Sequence, residues 1–157
     1  MNQVAAPPTP RRMIPALGKL YDALSPFAYP LMRIATGAIL IPHGMQKLFS
    51  MFGGSAVGTA GFFTKFGLEP ALPLVYYIGC LEFFGGILLV LGLLTRLVAI
   101  QLVVFMATAI LVVLWGNGFF WTKGGFEYSL LLMLLGIVIL IRGGGRYSID
   151  SKLGCEI

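Results

Sequence analysis

This chain is poor in charge. Of its 157 residues, only 11% are Asp, Glu, Lys or Arg, less than half the roughly 25% usual in soluble globular domains. It has one histidine, His43, and two cysteines, Cys80 and Cys155. One imidazole cannot supply both axial ligands of a bis-histidine haem, and unless His43 and Glu127 meet across helices nothing has metal-ligand spacing. There is no CxxC for thiol exchange, no Gly-rich phosphate loop behind a strand and no nucleophile motif. The cysteines read as unpaired thiols, with Cys80 a small packing residue inside an apolar run. These absences exclude a covalent cofactor and leave no side chain that can be named as catalytic.

Apolar residues are abundant. They make up 58% of the chain, mean hydropathy is +0.92, and several runs approach the ~20 residues needed to cross ~30 Å of hydrocarbon. The sequence therefore encodes a single-domain, all-α integral membrane protein. The net charge of +5 is spread over span ends, as membrane topology requires, with no basic patch interleaved with aromatics. Nucleic acid is thus excluded as a partner and lipid is expected. The run after Arg11 and Arg12 is broken by Lys19 and Asp22, so no signal peptide is expected and the first span serves as an uncleaved insertion signal.

Three segments are expected. Residues 1–25 form a tail, first the Pro-rich VAAPPTPRR and then MIPALGKLYDAL, an amphipathic piece lying on the membrane surface. Residues 26–142 form the transmembrane domain, and residues 143–157 a polar cytoplasmic tail. Four spans are placed at about 27–49, 72–94, 97–115 and 127–141, the first kinked near Pro42. The Gly-rich stretch 50–71 is an interfacial loop with a short helix near 57–66, Thr95 and Arg96 make a tight turn, and GNGFFWTKGGF is an aromatic loop at the membrane surface. Short turns between four spans give an antiparallel four-helix bundle. One side then carries Arg11, Arg12, Lys19, Arg96, Arg142, Arg146 and Lys152, the other Lys47, Lys65 and Lys123. Seven against three puts both termini in the cytoplasm.

Two charges fall inside apolar runs, Arg33 in the first span and Glu82 in the second. Each costs about 2.5–3.5 kcal/mol at mid-depth unless compensated. Counting inward from the span ends at ~1.5 Å per residue brings them within reach of each other, so an Arg33–Glu82 ion pair is expected. Such a pair either fixes helix register or marks a ligand or proton site. A second polar group gathers near the non-cytoplasmic face. His43 and Lys47 end the first span four residues apart, on one helix face, Trp121 lies in the aromatic loop, and Glu127 opens the fourth span. Glu127 serves either as a helix cap favoured by the dipole or as part of a ligand pocket with His43, Lys47 and Trp121. The competing arrangement is an interfacial belt in which each residue is solvated separately.

The stretches RIATGAILIPHGMQKLF, GTAGFFTKFGLEP, CLEFFGGILLVLGLLTR, NGFFWTKGGFEYSLLLMLL and GGGRYSID together resemble the DoxX family of small four-span bacterial and archaeal membrane proteins. The resemblance runs from Arg33 through Tyr147, in the family's order. It implies the four-helix fold, and Arg33, His43, Gly44, Lys47, Glu82, Arg96 and Glu127 fall on the family's recurrent polar and glycine positions. Some related members are subunits of a thiosulfate:quinone oxidoreductase, and others are linked to oxidative-stress and thiol-homeostasis assemblies. The expectation that follows is an inner-membrane subunit linked to quinone or sulfur/thiol redox metabolism, with a bound quinone as cofactor and other membrane subunits as partners. The alternative is a non-catalytic accessory subunit that packs against a larger respiratory or photosynthetic complex and binds only lipid. A small-solute transporter is weaker, for lack of inverted repeats and paired discontinuous spans.

Overall fold

The computed structural model describes residues 12–155. The Pro-rich stretch before Arg12 and the last two residues lie outside the described residues. The described chain is helical without strands. Its elements are α1 (Gly18–Leu48), α2 (Ala56–Thr64), α3 (Ala71–Leu91), α4 (Thr95–Asn117), α5 (Glu127–Arg142) and α6 (Ile149–Leu153). Three of them, α1, α3 and α4, are long and apolar enough to cross a membrane. Helix α5, at 16 residues, is ~24 Å long. The loop helix expected near 57–66 is α2, with the Ser55 hydroxyl accepting the Gly58 N–H at 3.1 Å as its N-cap.

MIPALGKLYDAL is not a separate surface piece. From Gly18 onward it is continuous with the first span in one helix of 31 residues, ~46 Å in length. Pro26 and Pro30 remove backbone donors, but no glycine or polar C-cap stands between Asp22 and Phe27 to end the helix. The bend after the second span also differs from expectation. Helix α3 stops at a Schellman motif, with Leu93 N–H on Leu88 C=O and Gly92 N–H on Leu89 C=O. Gly92 is left-handed at φ 68°, so Thr95 opens α4 instead of lying in the turn.

Helices α1 and α3 run antiparallel on a glycine seam. A Cβ on Gly37 would collide with the Gly86 carbonyl, and one on Gly44 with the Phe83 backbone. Close backbone approach through small residues is how membrane helices gain packing energy without a hydrophobic driving force. The same contacts fix the register, with Gly37 level with Gly86 and Gly44 level with Phe83. On the other side α4 packs along α5, and Leu40, Leu81, Leu89, Leu102, Leu132 and Ile139 join the four long helices in one core. Opposite Gly44, α3 widens into a π-helical turn, Leu81–Gly85, a local irregularity often found at functional sites.

The polar tail expected after residue 142 folds back on the bundle. Ser148 and Asp150 are 4% exposed, and Ser148 caps α6 by accepting the Ser151 N–H at 3.0 Å. The three consecutive glycines Gly143–Gly145 let this return happen, with Gly143 and Gly145 both at φ 71°.

Candidate functional site: a polar cavity with an ion pair behind it

The aromatic loop before α5 is closed on itself. Phe126 N–H reaches Gly118 C=O at 3.1 Å and Glu127 N–H reaches Phe119 C=O at 2.9 Å. Asn117 holds the Gly124 carbonyl at 3.1 Å, and Trp115 stacks on Phe126 with ring centroids 5.5 Å apart. This closure carries Trp121 back over the start of α5, where its backbone N–H donates to Glu127 Oε2 at 3.2 Å. Between that loop and α1 lies a cavity of about 550 Å³, lined by His43, Trp121, Glu127, Tyr128 and Leu131. Imidazole, indole and phenol can all donate hydrogen bonds, and a carboxylate accepts them. Around one opening, this set can bind a small carbonyl-bearing or anionic group from several sides.

Three of the four residues expected at this face, His43, Trp121 and Glu127, thus line one cavity. The fourth, Lys47, is not among the lining residues. Its Nζ lies 2.6 Å from Glu82 Oε2 and 3.4 Å from the His43 carbonyl oxygen. Lys47 therefore stands behind His43, joining the cavity wall to the carboxylate of the π-helical turn. Tyr128, expected at the same face as Glu127 but not as part of the pocket, also lines the cavity. Its position directly after Glu127 in a helix facing α1 is the signal that could have found it.

The expected Arg33–Glu82 pair does not form; each residue has another partner. Arg33, 1% exposed, donates from Nη1 to the Gly144 carbonyl and from Nη2 to the Tyr147 carbonyl, each at 2.8 Å. The glycine seam gives the reason. Glu82 is level with about Gly44, eleven residues and ~17 Å along α1 from Arg33. Helical side chains also lean toward their helix N-terminus. Lys47, just past Glu82, leans back toward it, whereas Arg33 leans away toward the far end of the bundle.

At that far end the folded-back segment makes a second polar constellation. Both Asp150 carboxylate oxygens accept backbone N–H groups, from Leu94 at 2.9 Å and Thr95 at 3.0 Å, and cap α4. Asp150 N–H in turn reaches Gly92 C=O at 2.9 Å. A Cβ on Gly92 would collide with the Arg33 guanidinium, so only glycine fits where Arg33 passes. Burial pushes the Asp150 carboxyl up, but hydrogen bonds from Thr95 and Leu94, with the charge of Arg33, outweigh it and hold the group below the usual carboxylate range. The Tyr29 hydroxyl bonds the Gly143 carbonyl, and Phe27 stacks on Tyr147 at 5.1 Å. This end is a structural lock built from the chain's own carbonyls, the Asp150 carboxylate and backbone N–H groups.

Residues 29–115 match the DoxX family. The chain belongs to that family. It is 32% identical to a Bacillus subtilis protein named "Putative oxidoreductase CatD" over 120 residues, covering 76% of this chain and 82% of that protein. It is 31% identical over 149 residues to an uncharacterized membrane protein of Mycobacterium tuberculosis, covering 88% of this chain and 89% of the relative. An uncharacterized Haemophilus influenzae protein is 35% identical over 135 residues, with 81% and 91% covered. No solved structure matches the chain. The matched DoxX region contains Arg33, His43, Lys47 and Glu82, while Trp121, Glu127, Tyr128 and the Gly143–Asp150 return lie beyond it. The cavity of this DoxX protein thus joins a wall inside the family match to one outside it.

A second, smaller cavity of about 280 Å³ opens between α2, α3 and α4, lined chiefly by apolar residues such as Phe63, Leu74, Ile100 and Phe105. Its polar feature is Tyr77, whose hydroxyl donates to Gln101 Oε1 at 2.8 Å. Among the described residues, no group of three or more His, Cys, Asp or Glu could hold a metal ion. Cys80 and Cys155 are both free thiols.

Proposed function

We propose that this DoxX protein crosses the cytoplasmic membrane of a bacterium or archaeon four times, as an antiparallel bundle over residues 26–142 with both termini in the cytoplasm. The cavity between His43, Trp121, Glu127 and Tyr128 binds a quinone head group, and the protein works as a membrane subunit of a larger assembly in quinone or sulfur/thiol redox metabolism. The observation that carries this reading is the convergence of those four side chains, from α1, the aromatic loop and α5, on one cavity. Donors on two walls suit the two carbonyl oxygens of a quinone ring, and Leu131 begins an apolar exit for its tail. The word oxidoreductase in the name of the Bacillus subtilis relative points the same way. Helix α5 acts as the fourth span although it has only 16 residues, because the closed aromatic loop extends its apolar surface on one side and snorkelling arginines extend it on the other.

The second reading, an accessory subunit that binds only lipid, is favoured by the largely apolar 280 Å³ groove between α2, α3 and α4. Purification with native lipid separates the two. The quinone reading expects a co-purifying quinone, and a His43→Ala protein that stays folded but binds a short-chain ubiquinone about tenfold more weakly, the loss of one good hydrogen bond. Equal binding by both proteins would leave the cavity a structural cluster.

Orientation is tested independently. A Lys123→Cys change, in a background without Cys80 and Cys155, should react with a membrane-impermeant thiol reagent applied from outside the cell. Reaction only after access to the cytoplasmic side would invert the topology.

A further inference from the structure

Glu82 has no role in the proposed site, yet it is a carboxylate buried within a long apolar helix. It is 5% exposed, sits in the π-helical turn of a membrane-length helix, and is ~15 Å from the Gly92 end of α3. Its neighbours along the chain, Gly79, Gly85 and Gly86, are small, and Gly44 from α1 packs against the Phe83 backbone. From α4 the residue packed on this turn is Val98, against Gly85. Between Arg96 and Thr108 that helix carries no ionisable residue, and α5 carries none between Tyr128 and Arg142. The ionisable group in direct contact with Glu82 is Lys47 of α1, with His43 one turn back along the same helix.

The two buried carboxylates of this protein are held in contrasting ways. Asp150 is fixed by two backbone N–H groups. Glu82 is held by a single donor among the described residues, the Lys47 ammonium. That ammonium is shared with the His43 carbonyl at 3.4 Å, so it has somewhere to go if the carboxylate loses its charge. It is also the wetter member, with 15% of its side chain exposed against 6% for Glu82. A carboxylate meant only to lock two helices is served by several fixed donors. One held by a single, partly exposed ammonium, in a widened helical turn behind a polar cavity, is built to change protonation.

We propose that Glu82 is a proton-binding site of the membrane domain, with Lys47 as its counter-charge and gate. One proton arriving along the partly exposed Lys47 side forms an O–H bond on the Glu82 carboxylate. Lys47 keeps its own proton and shifts its hydrogen bond to the His43 carbonyl. No electron moves and no other bond breaks. Because His43 also lines the cavity, filling the cavity changes the carbonyl that receives Lys47, and with it the readiness of Glu82 to take the proton. Only this last coupling rests on the reading of the cavity as a quinone site.

The test is infrared spectroscopy of the full chain in phosphatidylcholine vesicles, titrated with acid. Wild-type protein should gain a protonated-carboxyl C=O band that is missing from Glu82→Gln. In Lys47→Met the same band should appear about 1–3 pH units higher, the usual influence of an adjacent opposite charge. The Lys47→Met comparison keeps the test decisive if Glu82→Gln fails to fold. Decylubiquinone should move the wild-type midpoint and leave that of His43→Ala in place. If no band assignable to Glu82 appears before the protein unfolds, the pair is a fixed ionic lock and the proposal is overturned. A band that titrates but ignores decylubiquinone supports the proton site and overturns its coupling to the cavity.

Discussion

Asp150→Ala should destabilise the protein by about 2–5 kcal/mol, measured by SDS-titrated unfolding in mixed micelles, although residue 150 lies in the short terminal segment outside the spans. The change strands the Leu94 and Thr95 N–H groups, and a buried donor left without its acceptor costs about 1–3 kcal/mol. It also uncaps α4 where Leu94 already holds a left-handed conformation, φ 50°, and removes the carboxylate nearest the buried Arg33. Asp150→Asn, which keeps one acceptor, should cost less. The penalty depends on pH with a definite sign. The folded-state carboxyl lies below its usual value, so its contribution is complete above the unfolded value of ~3.9 and is lost as pH falls through the folded value. The gap between wild type and Asp150→Ala should therefore be largest near neutrality and close in acid. A pH-independent gap would mean that the effect comes from the fold of the 143–150 return and not from its charge.

Membrane crossing made much of this architecture legible. An apolar run long enough to span must be helical, so 72–94 and 97–115 anticipated Ala71–Leu91 and Thr95–Asn117 to within a few residues. The cavity was legible for the same reason. The expected topology puts the end of α1 beside the start of α5, and His43 and Glu127 do line the same space. What topology does not supply is rotation and register. The Arg33–Glu82 expectation relied on depth counted from a helix start at residue 27, but α1 begins at Gly18 and its true depth is set by Gly37 and Gly44 against Gly86 and Phe83. A glycine can be read from the sequence; the residue of the neighbouring helix that it packs on cannot.

The return of residues 143–150 was the largest omission, and the cause is physical. A polar segment after the final span looks the same whether it is solvated or folded back, because its burial satisfies backbone groups elsewhere in the chain. GGGRYSID contains the needed elements: glycines for the reversal, a serine cap and an aspartate. The Gly92 that leaves room for Arg33 lies more than fifty residues earlier. Arg33 needs no carboxylate partner within salt-bridge distance because two carbonyls freed by the glycine-rich reversal receive its guanidinium.

Breaking the Lys47–Glu82 pair should have an equally large effect, and an asymmetric one. Lys47→Met leaves a carboxylate 5% exposed without its donor, and loss of one member of a buried pair costs about 3–5 kcal/mol. Glu82→Gln should cost less, because the Lys47 side chain is partly exposed and an ammonium on a flexible stem can reach water. The double variant should cost less than the two single changes combined, since the residues touch. The third arm is Arg33→Met combined with Glu82→Gln. Arg33 is ~17 Å along α1 from the level of Glu82, and sites farther apart than about 7–10 Å without shared partners add within ~0.5 kcal/mol. Coupling of Glu82 to Lys47 with additivity toward Arg33 is the expected pattern under SDS-titrated unfolding. The reverse, additivity with Lys47 and coupling to Arg33, would mean that the glycine seam is out of register by about three turns and that α1 packs on α3 at another depth.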